Sequence, residues 1–505
     1  MTAVTSTDPR TGRVVATVAE ETAAAEVTEL GRRAAAAAPR LERLGRPFRA
    51  GVLRALADAL DADRAAIVEV ADRETALGPT RLNGELTRTC YQLRRFADVV
   101  EEGGYLEATI DHATDSPMGP LPDLRRMLVP IGPVGVFCAS NFPLAFSVPG
   151  GDTASALAAG CPVLIKAHSS HPATAQRCFD AMLAAATRAG APEGTLALLH
   201  GHDAGTAMVR HPAVKAVGFT GSLHGGRALA DLAAARPEPI PFYGELSSLN
   251  PVVVTPAAAA ERAEAIGKGL AGSATLGAGQ FCTKPGLVFV PVGPDGDRLR
   301  DAVAKAFGEL DAQVALNRGI QASYRQGTNR LAEHPGLTVL AAAGDDTGDG
   351  FLVRPMVFTT DTRRLDEVVI GECFGPTTIL VSYSDDADLL SALRGLPGSL
   401  TATLHVAQDT ADDVGAVLDV VRHKAGRILF NGFPTGVAVA WAQQHGGPWP
   451  STNTLHTSVG LTAIRRFLRP LAWQDAPASA LPAELRDDPG GAAVPRRVDG
   501  APHLA

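Results

Sequence analysis

Between Val134 and Ala235 the chain alternates short apolar runs with alanine-rich, helix-forming stretches, and this alternation constrains the fold more than any other feature. "VGVFC" (134–138), "PVLIKAH" (162–168), "TLALLHG" (195–201) and "VKAVGFTGS" (214–222) read as buried strands. "GDTASALAAGC", "ATAQRCFDAMLAAATRAG", "AGTAMVRH" and "LHGGRALADLAAA" read as the helices between and after them, the first two closing at Gly160 and Gly190. Repeated strand–helix units demand crossovers of one hand, hence a parallel, doubly wound α/β sheet. A second run begins at "NPVVVTP" (250–256), with a helix over about 258–276, the strand "GLVFVPV" and the helix "DRLRDAVAKAFGEL". Before the first run lie helices over 20–38, 48–73 and 90–102, then a hairpin or excursion over 106–130. The tail from Asp475 is rich in Pro, Ala and Gly, and is expected to be irregular or partly disordered.

The chain of 505 residues is long enough for about three domains. Its net charge of −8 argues against a nucleic-acid partner, which calls for a basic stripe. Met127 to Ile165 carries only Asp152 as a charge, but Pro130, Pro133, Pro143 and Pro149, with Gly132, Gly135, Gly150 and Gly151, break it, so it reads as strands and turns rather than a membrane span. The start lacks a basic region followed by an apolar core, so a cytoplasmic location is expected. The six cysteines are scattered, read as reduced thiols, and show no zinc-ligand spacing with histidine, so no metal is expected.

Several residues could carry chemistry. Cys282 in "GAGQFCTKPG" follows a run of small residues that admits close backbone or substrate approach, and Lys284 could favour its thiolate. A core cysteine near a turn fits the same letters. "FTGSLHGG" places Gly221 and Ser222 between a strand and a helix start, where free N–H groups could hold a phosphate. Lys166 ends a buried strand, the usual ligand side of an α/β sheet. Glu245 in "YGELSSLNP" has almost wholly uncharged neighbours and is expected to have a raised pKa and to act as a base, or else to cap a helix. Asn141 in "SNFP" could donate to an oxyanion or satisfy a turn; Glu372 in "GECFGPT" is ambiguous by itself.

In order, Asn-Phe-Pro, strand-end Lys, Phe-Thr-Gly-Ser, Glu-Leu, Gly-Gln-x-Cys and Glu-x-Phe-Gly-Pro resemble the aldehyde dehydrogenase superfamily over about residues 5 to 475. "SNFPLAFSVPGGDTASALAAGCPVLIKAHSSHP", "ARPEPIPFYGELSSLNP", "QQHGGPWPST" and "TSVGLTAIRRFLRPLAWQ" resemble its 2,5-dioxovalerate (α-ketoglutarate semialdehyde) branch. The resemblance implies a Rossmann-type cofactor domain (1–111 and 131–246), an α/β catalytic domain (247–443) and a small β oligomerisation element with a tail (112–130 and 444–505). It makes Cys282 the nucleophile, Glu245 the general base and Asn141 the oxyanion donor. It places the cofactor on Lys166, His168, Ser169, Gly221, Ser222, Glu372 and Phe374. Ser169 stands where NAD-preferring relatives carry glutamate, which implies NADP, with NAD as the alternative. A homodimer or homotetramer is expected. Lys284, Arg465 and Arg466 are the candidate cations for a substrate carboxylate. The sequence departs from the family pattern at Leu223, at Ser247-Ser248, at Lys284, and in "PTGVAVAWAQQHGGPWP", which replaces Pro-Phe-Gly-Gly. The alternatives are a dehydrogenase of fatty or general aldehydes, an acyl-CoA-forming enzyme, a cofactor-independent cysteine hydrolase and an inactive ligand-binding homologue.

Overall fold

The computed structural model describes residues 2–407 and 413–504. Five parallel strands form the first sheet, in the order Phe242–Glu245, Ala216–Thr220, Val134–Phe137, Val163–Lys166, Leu196–Leu199. The chain runs outward from Val134–Phe137 in one direction, then returns beside it to run outward in the other. The order therefore reverses at that strand, and in open α/β sheets the crevice at such a point receives ligands. These strands are buried on both faces, so they read as continuous apolar runs rather than alternating ones. The helix Gly151–Ala159 stops because Gly160 adopts φ 98°, a left-handed conformation glycine reaches without steric cost.

The second sheet has seven strands, in the order Thr338–Ala342, Met356–Asp361, Thr377–Tyr383, Leu287–Pro291, Val252–Val254, Ser399–His405, Ala425–Phe430. Only the first of these is antiparallel to its neighbour. Val252, Val288 and Leu380 on one face pack on the helices Pro256–Thr275 and Pro294–Gly308; Val253, Phe289 and Val381 face a second cluster.

A third, five-stranded sheet joins distant parts of the chain: Leu468–Gln474, Leu124–Pro130, Ala108–Asp111, Arg496–Val498 and Ala501–His503. The excursion over 106–130 is thus two strands of this sheet with the small hairpin Thr114–Ser116/Gly119–Leu121 between them. The expectation of an irregular tail is corrected here. Leu485 and Val494 are buried in the core of the first helical layer, and Arg496–Val498 pairs in parallel with Ala108–Ile110. Single anchors spaced by polar turns leave no periodicity to read, yet each buries fully. Arg46 and Arg125 tie the tail down, through Glu484 at 3.0 Å and the Leu485 carbonyl at 2.7 Å.

N-terminal to these sheets, Ala24–Ala62 is one long helix bent at Gly45, where φ is 76°, followed by Arg64–Thr75 and Pro79–Glu102. Among the described residues no helix is long and apolar enough to cross a membrane.

Candidate active site

The carboxyl ends of the first sheet open onto a cleft of about 430 Å³. The turn after Phe137 delivers Asn141 to its wall, and the turn after Thr220 delivers Gly221 and Ser222. His168 follows the strand ending at Lys166. Opposite them, from the second unit, stand Cys282, Glu372 and Phe374. Residues up to 233 positions apart in the chain thereby share one cavity, as the α/β switch point requires.

Cys282 sits on a tightly held loop. Gly277, Ala278 and Gly279 have φ of 58°, 59° and 63°, a left-handed run that turns the chain sharply after the helix Pro256–Thr275. A Cβ on Gly279 would lie 2.2 Å from the Gly375 carbonyl oxygen and 2.5 Å from Pro376 Cα. The cysteine loop and the Glu372–Pro376 loop therefore meet backbone to backbone. The Asn250 amide donates to the carbonyls of Cys282 and Lys284, each at 2.9 Å. The Asn141 amide donates to the Gln280 carbonyl at 2.9 Å, which leaves its second N–H for the cleft.

Glu245 ends the strand Phe242–Glu245, and a segment from far downstream docks along that strand. Leu246 N–H donates to the Ser451 carbonyl, Gly244 N–H donates to Asn453, and Glu245 bridges to Thr452. This docking brings in His445. Its Nε2 lies 3.0 Å from Glu245 Oε1 and 3.5 Å from Cys282 Sγ, while the Ser458 hydroxyl donates to the other carboxylate oxygen. Glu245 is 4% exposed and His445 1%. Burial alone would raise the Glu245 pKa. The His445 charge, with hydrogen bonds from His445 and Ser458, outweighs it and holds the carboxyl at about 2. The expected raised pKa is thus corrected: local sequence showed an uncharged neighbourhood and could not show the imidazole. Cys282 goes the other way. Burial, and then the Glu245 charge, push its thiol well above the ordinary range. Sγ, Nε2 and a carboxylate oxygen lie within 4.8 Å of one another, although no short-range spacing in the sequence links them. His445 was missed at sequence level; the one signal available was the departure of "QQHGGPWP" from the family pattern.

Lys166 ends its strand outside the residues that line the cleft; it is half-buried, its ammonium makes no ion pair among the described residues, and burial lowers its pKa. Burial, then His171 and Lys166, push His168 well below its usual value, and its Nδ1 accepts from the Ser170 N–H. Ser169 is exposed. The Ser222 hydroxyl caps its own helix, Leu223–Ala234, by accepting from Gly225 N–H. Burial raises the pKa of Glu372, against the Lys284 charge and hydrogen bonds from Ser247 and Ser248.

A model of the aldehyde dehydrogenase family matches residues 2–469. The chain belongs to the aldehyde dehydrogenase family. Within the family it is 48% identical over 463 residues to alpha-ketoglutaric semialdehyde dehydrogenase 2 of Azospirillum brasilense, covering 90% of this chain and 87% of that one. It is 44% identical over 425 residues to alpha-ketoglutaric semialdehyde dehydrogenase of Acinetobacter baylyi, covering 83% and 80%. Aldehyde dehydrogenase from Bacillus cereus superposes with a TM-score of 0.80 at 20% identity, covering 94% of this chain and 93% of the other. Aldehyde dehydrogenase C of Pseudomonas syringae, solved with NAD+ and octanal, superposes at 0.79 and 21%, covering 94% of each.

An aldehyde dehydrogenase uses a nicotinamide dinucleotide, and the residues here fit one. The cleft is lined by a helix N-terminus fronted by Gly221 and Ser222, which suits a phosphate, and by the Glu372 carboxylate on its far side, which suits a ribose hydroxyl. The three cations proposed for a substrate carboxylate are not in this cleft. Lys284 is 4% exposed, and its ammonium donates to the Thr377 carbonyl at 2.7 Å, beside Glu372 and Cys373. Arg466 is 1% exposed and paired with Asp152; Arg465 pairs with Glu107 at 2.9 Å at the surface.

Proposed function

We propose that this aldehyde dehydrogenase oxidises α-ketoglutarate semialdehyde to 2-oxoglutarate, with Cys282 as nucleophile. The observation that carries the reading is that Cys282 and Asn141 line one cleft while the buried Glu245–His445 pair contacts the Cys282 sulfur. The thiolate attacks the aldehyde carbon; the thiol's proton leaves to the Glu245–His445 pair, which passes it to solvent before hydrolysis. The developing oxyanion takes the free Asn141 N–H and the Cys282 backbone N–H, each worth about 10²–10³ in rate. A bound nicotinamide dinucleotide supplies the hydride acceptor that makes the thiohemiacetal a thioester. Lys166, His168, Gly221 and Ser222 would hold its adenosine and phosphate end, and Glu372 and Phe374 its nicotinamide ribose. Glu245 then draws a proton from the hydrolytic water, kept ready as a carboxylate by the His445 charge and the Ser458 hydroxyl.

The substrate name comes from the relatives at 48% and 44% identity. Comparing kcat/KM for α-ketoglutarate semialdehyde and for pentanal tests it. Equal or better turnover of pentanal would make the enzyme a general or fatty-aldehyde dehydrogenase. Running the assay with and without CoA separates hydrolysis from acyl-CoA formation, and the absence of any NAD(P)H would leave a hydrolase or an inactive homologue.

NADP is the preferred cofactor in this reading. Ser169 is small, neutral and exposed, so it leaves room for a 2′-phosphate that Lys166 attracts. Ser169→Glu shifts preference toward NAD; a wild-type enzyme with higher kcat/KM for NAD would refute this. The third sheet ends in two open edges, Leu468–Gln474 and Ala501–His503. Open edges template further pairing, which supports a homodimer or homotetramer, checked by sedimentation.

A further inference from the structure

The helix Pro79–Glu102 carries Arg81, Glu85, Arg88 and Gln92 at spacings of four, three and four, so all four share one face. That face is turned inward, toward the segment just past Asn141. Arg81 donates to the Asn141 carbonyl at 2.7 Å, and its guanidinium stacks 5.0 Å from the Phe142 ring and 4.9 Å from the Phe281 ring. Arg88 lies 5.2 Å from the Phe146 ring. The three rings form a ladder, Phe281 to Phe142 at 5.0 Å and Phe142 to Phe146 at 4.9 Å, that starts one residue before Cys282. The guanidiniums run alongside it.

The charges on this face do not balance. Glu85 has spent one oxygen on the N–H groups of Leu144 and Ala145, at 2.8 and 2.9 Å, and neither arginine hydrogen-bonds to it. Two guanidiniums face one carboxylate. Arg81 Nη1, Arg88 Nη2 and Gln92 Nε2 are fully buried with no hydrogen-bond partner. An uncompensated buried charge is costly, and a buried donor without an acceptor is uncommon outside functional sites. Burial lowers the pKa of both arginines, and the single Glu85 charge only partly opposes it. Arg427 has no such vacancy at its tip: it gives both terminal nitrogens to the Gly436 and Pro434 carbonyls.

We infer that Arg81 and Arg88 form an anion site that receives the far carboxylate of the aldehyde substrate, at the end of an aromatic wall that leads from Cys282. The inference rests on the proposed acidic substrate. It replaces Lys284, Arg465 and Arg466, which the structure engages elsewhere.

Arg88 gives the cleaner test, because Arg81 also holds the Asn141 backbone. The quantity read is the ratio of kcat/KM for α-ketoglutarate semialdehyde over pentanal. Arg88→Met lowers this ratio by about 10- to 150-fold, the worth of one charge-assisted hydrogen bond. Glutarate, an unreactive five-carbon dicarboxylate, serves as the direct probe. It inhibits the wild type in competition with aldehyde and raises its Tm, and Arg88→Met loses both effects. Where Arg88→Met does not fold, Arg88→Gln keeps a polar head and gives the same fall. A wild type that favours the semialdehyde, with the ratio and glutarate inhibition unchanged in the variants, overturns the anion site and leaves the proposed function standing. A wild type that takes pentanal equally well overturns both.

Discussion

Replacing Glu245 by Gln is expected to make Cys282 more reactive toward an alkylating agent while abolishing turnover. The carboxylate oxygen and the sulfur lie within 4.8 Å in a buried site. At an effective dielectric constant of about 20, two unit charges at that separation repel by about 3.5 kcal/mol. Removing the repulsion lowers the thiol pKa and raises the thiolate fraction near neutrality. A less basic thiolate is a poorer nucleophile, with a Brønsted slope of about 0.4–0.5, so the net gain in rate is about 10–30-fold. The assay is iodoacetamide labelling at pH 7, followed by mass spectrometry of the Cys282 peptide. Cys90, Cys138, Cys161 and Cys178 are buried and serve as internal references. In the same variant a stopped-flow trace keeps one burst of NAD(P)H per site, then stalls at the thioester. Slower labelling in the variant would refute the reasoning, because it would mean that Glu245, and not His445, takes the thiol's proton. A missing burst would refute the division of labour between attack and hydrolysis.

Three further outcomes are expected. Gly279→Ala forces a Cβ against the Gly375 carbonyl at 2.2 Å in a left-handed backbone, and should lower stability by about 1–3 kcal/mol and weaken cofactor binding together; a normal urea midpoint would contradict this. Glu245 is held at about 2 in the folded state, below its ordinary 4.5, so its contribution to stability is full above 4.5 and is lost as pH falls from 4.5 through 2. His445→Asn removes the charge that outweighs burial, and the acid limb of the hydrolytic step then moves above 4.5; an unmoved limb would show that His445 does not set the carboxyl's ionisation. Asn141→Ala should cut kcat by about 10²–10³, read under saturating aldehyde, and a loss of a few-fold only would place the oxyanion elsewhere.

Much of the frame was legible in the sequence because it rests on short-range patterns. Doubly buried strands such as "VLIK" show as apolar runs, and Gly160 marks a helix end by its own backbone freedom. Cys282, Asn141, Ser222 and Glu372 stand in motifs, and the structure gathers them in one cleft. What escaped depends on contacts between distant segments. His445 has no local mark of its role, and its absence from the reading reversed the expected direction of the Glu245 shift. Arg81 and Arg88 lie before the helix expected over 90–102, on a part of Pro79–Glu102 that the sequence did not mark; only the docking of Phe142, Phe146 and Phe281 shows that they face inward. Lys284 was chosen for its closeness to Cys282 in sequence, yet two residues along a turn suffice to point its ammonium at the Thr377 carbonyl. The tail failed a periodicity test that is blind to isolated anchors such as Leu485 and Val494.

The docking of the 445–458 segment against the strand that ends at Glu245 also dictates when the site comes into being. His445 lies 200 residues beyond Glu245, and Ser458 213 residues beyond it. On a ribosome, Cys282 and Glu245 are made well before the imidazole that joins them. Until that segment arrives, Glu245 lacks the imidazole and the hydroxyl that hold its charge in the finished site. A nascent or truncated chain therefore lacks the groups that set the ionisation of Glu245. The site is thus assembled last, by a segment that reaches back across the chain to the strand that ends at Glu245.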